Sequence, residues 1–215
     1  MPRLLHLVAS PRSQRSASTE VAVHFIERWR ARHPDTEVRT LDLWQCQLPE
    51  FGQEAMDAKY AGLSGTPLTP AQEQAWTTLR ELAACLHQAD ILVLSVPLWN
   101  FGIPYKLKHF IDLVSQKDIL FSFDPQRGFA GLLRGKRALA VYARGLDYGA
   151  ASFTPAGRFD LQKPYVEAWL RFVGVADIHS VIVEKTIYGP DEDRQSRERA
   201  KAQAEALLDA MAPAP

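Results

Sequence analysis

The sequence predicts an α/β protein in which a parallel β-sheet lies between two layers of helices. Short runs rich in Leu, Val and Ile alternate along the chain with longer segments whose apolar residues recur at helical spacing. Four of the five short runs are nearly continuously apolar, which is typical of strands buried on both faces of a parallel sheet. Strands that alternate with helices form βαβ units, and these units build an open, doubly wound sheet.

Five segments are predicted to be strands, at 3–8, 37–43, 90–96, 137–143 and 177–183. Right-handed crossovers leave few topologies for five parallel strands in one sheet. The expected architecture is therefore flavodoxin-like, with strand order 2-1-3-4-5 and helices on both faces of the sheet.

Helical stripes of apolar side chains separate these strands, at 21–29, 75–86, 165–173 and 200–211, and a further helix follows the third strand. The second stripe has a start signal, with Thr69 as N-cap, Pro70 at the first helical position and Gln72 three residues after the cap. Gly174 is expected to end the third helix in a left-handed conformation.

The chain of 215 residues is expected to form a single domain at 1–215, because this length gives one sizeable core and is short for two. Two segments interrupt the alternation. One is a Gly- and Pro-punctuated connection at 44–70, and the other, at 117–135, contains three phenylalanines. A connection of that length in a compact domain usually carries function or an interface. The Pro-rich tail at 212–215 is expected to be frayed.

Charge and composition exclude several classes of function. The 25 Lys and Arg residues balance the 25 Asp and Glu residues, so no net field draws the protein to nucleic acid or to an anionic membrane. Cys46 and Cys85 form neither a CxxC pair nor a zinc ligand set, which fits a reducing compartment. No stretch approaches the ~18 uninterrupted apolar residues of a membrane span, and the first apolar run is too short for a secretion signal. We therefore expect a soluble, cytoplasmic protein.

Ligands of open parallel sheets bind beyond the carboxyl ends of the strands, which directs attention to the loop at 10–18. This loop has four serines, two arginines and the free N–H groups of a helix start, a donor set that suits a monophosphate. It has no glycine, so the GxGxxG pattern of a dinucleotide site fails. The alternative is an ordinary serine-rich turn in which Ser16 or Ser18 is the N-cap.

The loop after the third strand, at 97–108, is stiff and apolar, with two prolines, one glycine and an Asn among large aromatic residues. Its backbone groups can contact the polar rim of a flat ring while Leu98 and Trp99 cover the face of that ring. The alternative is a hairpin-like turn whose aromatic side chains complete the core.

The loop after the fourth strand, at 143–149, offers a third set of contacts. Gly145 allows close approach of a ligand to the backbone, or a positive φ. Arg144 is predicted either to contact a carbonyl edge or a phosphate, or to be a solvated loop charge.

Motifs for chemistry by the chain itself are missing. The GxSxG pattern of a nucleophile elbow is out of register, and the six histidines are scattered without zinc spacing, so no metal is expected. His109 is expected to be packed or solvated rather than catalytic. An organic cofactor is then the economical source of reactivity.

Three segments together resemble the FMN-dependent NADH azoreductase and quinone reductase family of the flavodoxin-like superfamily. They are Ser10 with 16–18, the segment PLWNFGIPYKLKHFIDLV at 97–114, and ARG at 143–145. The similarity covers nearly the whole chain, and PLWNFGIP is its specific part. The sequence departs from the family at Ala143 and Leu146, where the usual loop reads Ser-Arg-Gly-Gly, and at Trp99, where Tyr is usual.

The resemblance implies one FMN per subunit, at the interface of a homodimer, and hydride transfer from NADH or NADPH by a ping-pong mechanism to quinones and azo compounds. It implies that the phosphate contacts Ser10, Ser16, Ala17 and Ser18, that the ring contacts Pro97, Leu98, Trp99, Asn100 and Phe101, and that Ala143, Arg144 and Gly145 lie near its pyrimidine side. Phe121, Phe123 and Phe129 are candidates for lining the substrate slot.

Three alternatives stay open on the sequence. A flavodoxin-like electron carrier would use the same phosphate loop, but such carriers are commonly acidic and this chain has no net charge. An FAD-dependent quinone reductase would need additional chain for the adenosine half. A flavin-binding protein without enzymatic activity is the third.

Overall fold

The computed structural model describes residues 1–212, apart from the side chains of Gln14 and Leu63. The tail predicted to fray, 212–215, lies outside these residues except for Ala212. In chain order the elements are β1 (Arg3–Val8), α1 (Ala17–Arg32), β2 (Glu37–Asp42), α2 (Gln53–Ser64), α3 (Pro70–Gln88), β3 (Ile91–Pro97), α4 (Tyr105–Val114), β4 (Phe121–Asp124), β5 (Gly128–Gly131), β6 (Arg137–Ala143), α5 (Ala156–Phe159), α6 (Gln162–Phe172), β7 (Asp177–Val183) and α7 (Pro190–Ala206).

Five of these strands form one parallel sheet in the order β2-β1-β3-β6-β7. Counted along the chain within that sheet alone, the order reads 2-1-3-4-5. The three central strands are almost entirely buried, which explains their continuous apolar runs. The predicted five-stranded flavodoxin-like α/β architecture is confirmed.

Helices cover both faces of the sheet, and each face has its own apolar cluster. One cluster joins the sheet to α2, α3, α4 and α6. The other joins it to α1 and α7, with Trp29 of α1 fully buried. The predicted start of α3 is confirmed, because Thr69 and Gln72 form a reciprocal capping box with Pro70 in the first turn.

The two predicted interruptions contain regular structure that the sequence pattern did not indicate. The connection at 44–70 includes α2, which sets the small residues Ala55 and Ala58 against the core, so no stripe of large apolar side chains marks it. The segment at 117–135 includes the antiparallel hairpin of β4 and β5, whose strands have four residues each. Strands this short are too brief to show a clear alternation.

Two glycines fix this hairpin against the end of α6. Gly174 has a φ of 105°, which confirms the predicted left-handed helix end. A Cβ atom on Gly131 would lie 2.2 Å from the backbone nitrogen of Gly174, so neither strand nor helix end leaves room for a side chain there. The hairpin is thereby held beside the end of α6 and the start of β6, at the amino edge of the sheet.

In the described part of the chain, we find no helix with the length and apolar content that crossing a bilayer requires.

A buried histidine makes the stability of the fold depend on pH. His6 of β1 lies 2.6 Å, through its Nε2 atom, from the hydroxyl of Ser95 in β3, and burial lowers the pKa of His6 from 6.5 to about 4. The unfolded chain therefore binds a proton between pH 6.5 and pH 4 that the folded chain does not bind.

We predict that the free energy of unfolding falls by about 2 kcal/mol between pH 7 and pH 5, because protonation of His6 favours the unfolded state in that window. The measurement is urea unfolding at the two pH values. His6→Asn, which keeps a hydrogen-bonding partner for Ser95 without titrating, should lose most of this difference. An equal difference in both proteins would contradict the assignment.

Candidate functional site

The sheet has its topological switch point between β1 and β3. The chain leaves β1 toward β2 on one side and later returns to β3 on the other side, so the loops that follow these two strands diverge. Backbone hydrogen bonds hold the loop starts together, from Ala9 N–H to the carbonyl of Ser95 at 3.0 Å and from Leu98 N–H to the carbonyl of Ala143 at 2.8 Å. The three loops predicted to bind a ligand therefore meet at one edge of the sheet.

The serine loop concentrates hydrogen-bond donors at the start of α1. Ser10, Ser16 and Ser18 are buried, and the hydroxyls of Ser16 and Ser18 are 3.1 Å apart. Ser16 is the N-cap and accepts the N–H of Thr19, so one of the two alternatives for the cap is confirmed. Ala17 and Ser18 are the first two helical residues, and their N–H groups have no carbonyl partner within the helix.

Thr19, the next residue of α1, lines a separate pocket with Glu20 and Lys201. Its hydroxyl is buried and has no hydrogen-bond partner in the described part of the chain. The segment 10–18 contains no carboxylate. A loop with buried hydroxyls, helix-start amides and no negative charge is suited to an anion with several acceptor oxygens, as a phosphate group has.

The loop after β3 makes a two-residue hairpin turn. Trp99 and Gly102 exchange two backbone hydrogen bonds, of 3.1 and 2.9 Å, and the residues between them, Asn100 and Phe101, have positive φ values of 46° and 69°. Two successive left-handed residues are characteristic of a type I′ turn. The conformation costs Phe101 roughly 1–2 kcal/mol, and strain of this kind gathers at functional sites.

Contacts from the α5–α6 junction hold this strained turn in place. Leu161 N–H donates to the carbonyl of Phe101 at 2.8 Å, and the ring of Phe159 lies 5.3 Å from the ring of Phe101. The hairpin-like geometry of the alternative prediction is present, but the Phe101 side chain does not complete the core, because 46% of its surface is exposed. Asn100 is also exposed, at the tip of the turn.

An aromatic cluster flanks the other side of the turn. The rings of Trp44, Trp99 and Tyr105 lie 5.3 to 6.4 Å apart. The prediction of the site from sequence did not include Trp44, which follows β2 and comes close to Trp99 only in the folded chain. The indole of Trp44 also donates a hydrogen bond to the carbonyl of Ala9, 3.0 Å away.

Arg144 is buried among acidic partners at the start of the loop after β6. Its guanidinium, only 2% exposed, is paired with Asp160, lies 3.0 Å from Glu184 and 3.4 Å from the amide oxygen of Gln162, and stacks 5.0 Å above Tyr148. The prediction of a solvated charge is wrong, whereas contact of Arg144 with a ligand stays a prediction. Its partners come from three segments, so Arg144 ties together the loops beyond β6 and β7 and the start of α6.

Gly145 departs from one of its two predicted roles. Its φ is not in the left-handed region, so the predicted positive φ is wrong. A Cβ atom there would meet the side chain of Ile187 at 3.5 Å, an ordinary van der Waals distance. Close approach of a ligand to this backbone stays a prediction.

The three phenylalanines of the predicted substrate slot do not join these loops within one chain. Phe121, Phe123 and Phe129 lie on the β4–β5 hairpin, where Phe121 and Phe129 contact Phe172 at the end of α6. They line an apolar cavity of about 410 Å³ together with Trp76 and other residues of α2 and α3. The cavity lies between the hairpin and the helices α2 and α3, and no residue of the three loops lines it.

The ring of His109 is hydrogen-bonded through Nε2 to the carbonyl of Pro49 at 2.9 Å, so it is packed, as predicted. Within residues 1–212, no three His, Cys, Asp or Glu side chains group as metal ligands.

The sequence profile of the flavodoxin-like fold matches residues 2–208. The chain belongs to this flavodoxin-like family. A relative from Pseudomonas fluorescens, named FMN-dependent NADH:quinone oxidoreductase 3, is 62% identical over 99% of this chain and 98% of its own. A Burkholderia lata relative, named FMN-dependent NADH:quinone oxidoreductase 9, is 55% identical over 88% of this chain and 90% of its own.

Solved structures agree with this flavodoxin-like assignment. The crystal structure of an azoreductase from Bacillus anthracis superposes with a TM-score of 0.85 at 25% identity, and the match covers 98% of this chain and 100% of that chain. The resemblance to azoreductases and quinone reductases that the sequence indicates is therefore confirmed.

We predict that Arg144→Met destabilises this flavodoxin-like protein by about 3–5 kcal/mol, because Asp160 is left buried without its partner. Arg32→Met, which removes an exposed ion pair to Asp209, is the matched control and should cost less than about 1 kcal/mol. The measurement is the free energy of unfolding from denaturant titration. Equal losses of unfolding free energy in the two variants would show that the buried ion pair contributes no more to stability than the exposed one.

Proposed function

We propose that the protein is an FMN-dependent NADH:quinone oxidoreductase. The observation that carries this proposal is the 62% identity, over nearly the full length of both chains, to a relative of that name. The geometry supports it, because three loops suited to a phosphate and a flat ring meet at the switch point of the sheet.

The residues at this edge fit the two ends of FMN. Ser10, Ser16, Ala17 and Ser18 would hold the phosphate through hydroxyls and helix-start N–H groups. The ring would lie against the loop after β3, with the loop after β6 near its pyrimidine side. Those lining residues would be Pro97, Leu98, Trp99, Asn100, Phe101, Ala143, Arg144 and Gly145.

Arg144 would act on the site through its loop rather than through its guanidinium. The charge is already balanced by two carboxylates, and the residue's own N–H donates to the carbonyl of Val183 at 2.8 Å. The role of Arg144 in this proposal is to fix the backbone on which Gly145 lies.

Bound FMN would supply the two-electron redox chemistry that links oxidation of NADH to reduction of a quinone. The chain would bind and orient the reactants, and rigid apolar walls would keep the two reacting atoms ~3–3.5 Å apart. One slot that serves donor and acceptor in turn gives a ping-pong order. We propose NADPH as a second donor and azo compounds, reduced in two rounds, as second acceptors.

We further propose a homodimer with the FMN sites at the interface. Phe121, Phe123 and Phe129 are partly exposed on the hairpin at the amino edge, whereas the flavin loops lie at the carboxyl edge of the same sheet. These phenylalanines therefore line a flavin slot only if they belong to a second copy of the chain. In that arrangement each active site takes its loops from one subunit and its slot from the other.

We also propose a cytoplasmic location. Both Cys46 and Cys85 are free thiols, as is usual where glutathione and thioredoxin keep cysteines reduced. The acceptors and donors proposed here are small molecules, so no nucleic-acid or membrane partner is part of the proposal.

The proposed function is tested with the purified native protein. We predict a yellow protein whose heat-released chromophore is FMN, and NADH oxidation that accelerates when a benzoquinone is added. Ser16→Asp should weaken FMN binding at least about tenfold, because its carboxylate caps α1 equally well but repels the phosphate.

Thr69→Asp is the matched control, since it makes a similar change at the N-cap of α3 and should leave FMN binding as in the native protein. A protein that takes up no flavin, or one that releases FAD, would overturn the proposal. FMN uptake without quinone-dependent NADH oxidation would instead favour an electron carrier.

A dimer made of two inactive subunits tests the shared site. We predict that Ser16→Asp and Phe129→Asp subunits are each inactive as homodimers, and that the heterodimer, isolated with two affinity tags, has about half of the native activity. One of its two sites then combines a native serine loop with a native hairpin from the other subunit. An inactive heterodimer would show that the hairpin does not contribute to a partner's site.

A further inference from the structure

We propose that Trp44 is a positioning residue that couples the two ends of the flavin site. Its indole N–H fixes the backbone that leads into the phosphate loop, and its ring face supports the turn that lines the isoalloxazine. The proposal rests on the proposed function. It adds to the site a residue from the segment after β2, which was not part of the predicted site.

The first contact lies just beyond the carboxyl ends of β1 and β2. The last backbone hydrogen bond between β1 and β2 runs from Leu43 N–H to the carbonyl of Val8 at 3.1 Å. The chain then turns away, because the side chain of Asp42 accepts the backbone N–H of Trp44 at 2.9 Å. The indole Nε1–H of Trp44 reaches back to the carbonyl of Ala9, 3.0 Å away, so a side chain supplies the donor for this carbonyl.

This hydrogen bond bears directly on the phosphate loop. Ala9 is fully buried, and a buried carbonyl without a donor is costly. The same carbonyl belongs to the peptide group that joins Ala9 to Ser10, the first residue proposed to contact the phosphate. Loss of the indole N–H would favour a rotation of that peptide group and a displacement of Ser10.

The second contact reaches the ring turn. The ring of Trp44 lies 5.7 Å from the ring of Trp99 and 5.3 Å from that of Tyr105, edge to face with the latter. Trp99 is the first residue of the strained turn that contains Asn100 and Phe101. The indole of Trp44 therefore packs against the base of the turn, while its N–H holds the start of the serine loop.

These two contacts are separable by substitution. Trp44→Phe keeps an aromatic ring beside Trp99 but has no N–H for Ala9. Trp44→Ala removes both contacts. Riboflavin, which has the ring of FMN but no phosphate, reports on the ring turn alone, so the ratio of FMN to riboflavin affinity measures the phosphate loop.

The experiment is fluorescence titration of flavin-free protein with FMN and with riboflavin. We expect Trp44→Phe to raise the Kd for FMN about 5-fold and the Kd for riboflavin less than about 2-fold, as the loss of one hydrogen bond would. Trp44→Ala should weaken the binding of both ligands. Trp169→Phe is the matched control, because it also deletes an indole N–H, 3.0 Å from the hydroxyl of Ser115, and should change neither constant.

An unchanged ratio of the two affinities in Trp44→Phe would overturn the proposal. This includes an equal loss of affinity for both ligands, which would indicate a purely structural effect. If Trp44→Phe does not fold, 3-benzothienylalanine incorporated at position 44 serves the same test, since it keeps the bicyclic aromatic ring and lacks the N–H donor. Native protein that binds FMN while the ratio stays unchanged refutes only the role of Trp44. Native protein that binds no FMN refutes the proposed function as well.

Discussion

The position of β1 at the centre of the strand order is the constraint on which the site depends. Because the chain moves from β1 outward to β2 and then crosses to β3 on the other side, the loops beyond β1 and β3 cannot pack against each other as successive loops do. The gap that results has helix-start amides on one side and a turn on the other. This gap is where the proposed FMN would bind.

The loops around this gap are fixed by contacts with other segments of the chain rather than by contacts within each loop. The guanidinium of Arg144 binds two carboxylates in the interior, Leu161 supports the carbonyl of Phe101, and the indole of Trp44 supports that of Ala9. Burying polar and charged groups for such contacts costs desolvation free energy. In return, the contacts hold the loops rigidly in one conformation. An enzyme that relies on a cofactor for its chemistry needs this rigidity, because its own contribution is placement.

Much of the fold was predictable, because its signals are local. The strands at 3–8, 137–143 and 177–183 agree residue for residue with the structure, and Thr69 begins α3 as its capping box indicates. Weak local signals explain what was missed. Ala55 and Ala58 bury too little apolar surface to mark α2, and the hairpin strands are only four residues long. The loops of the candidate site were predictable as a group, since each follows a buried strand.

The class of fold, the edge of the sheet at which a ligand is expected and the residue types found there follow from the sequence alone, because they depend on periodicity, capping and strand order. Only the tertiary structure decided which side chains are available. It buried the charge of Arg144 among acidic partners and brought Trp44 beside Trp99. It also carried Phe121, Phe123 and Phe129 to the opposite edge. Each of these outcomes depends on contacts between residues far apart in the chain, and no local pattern encodes such contacts.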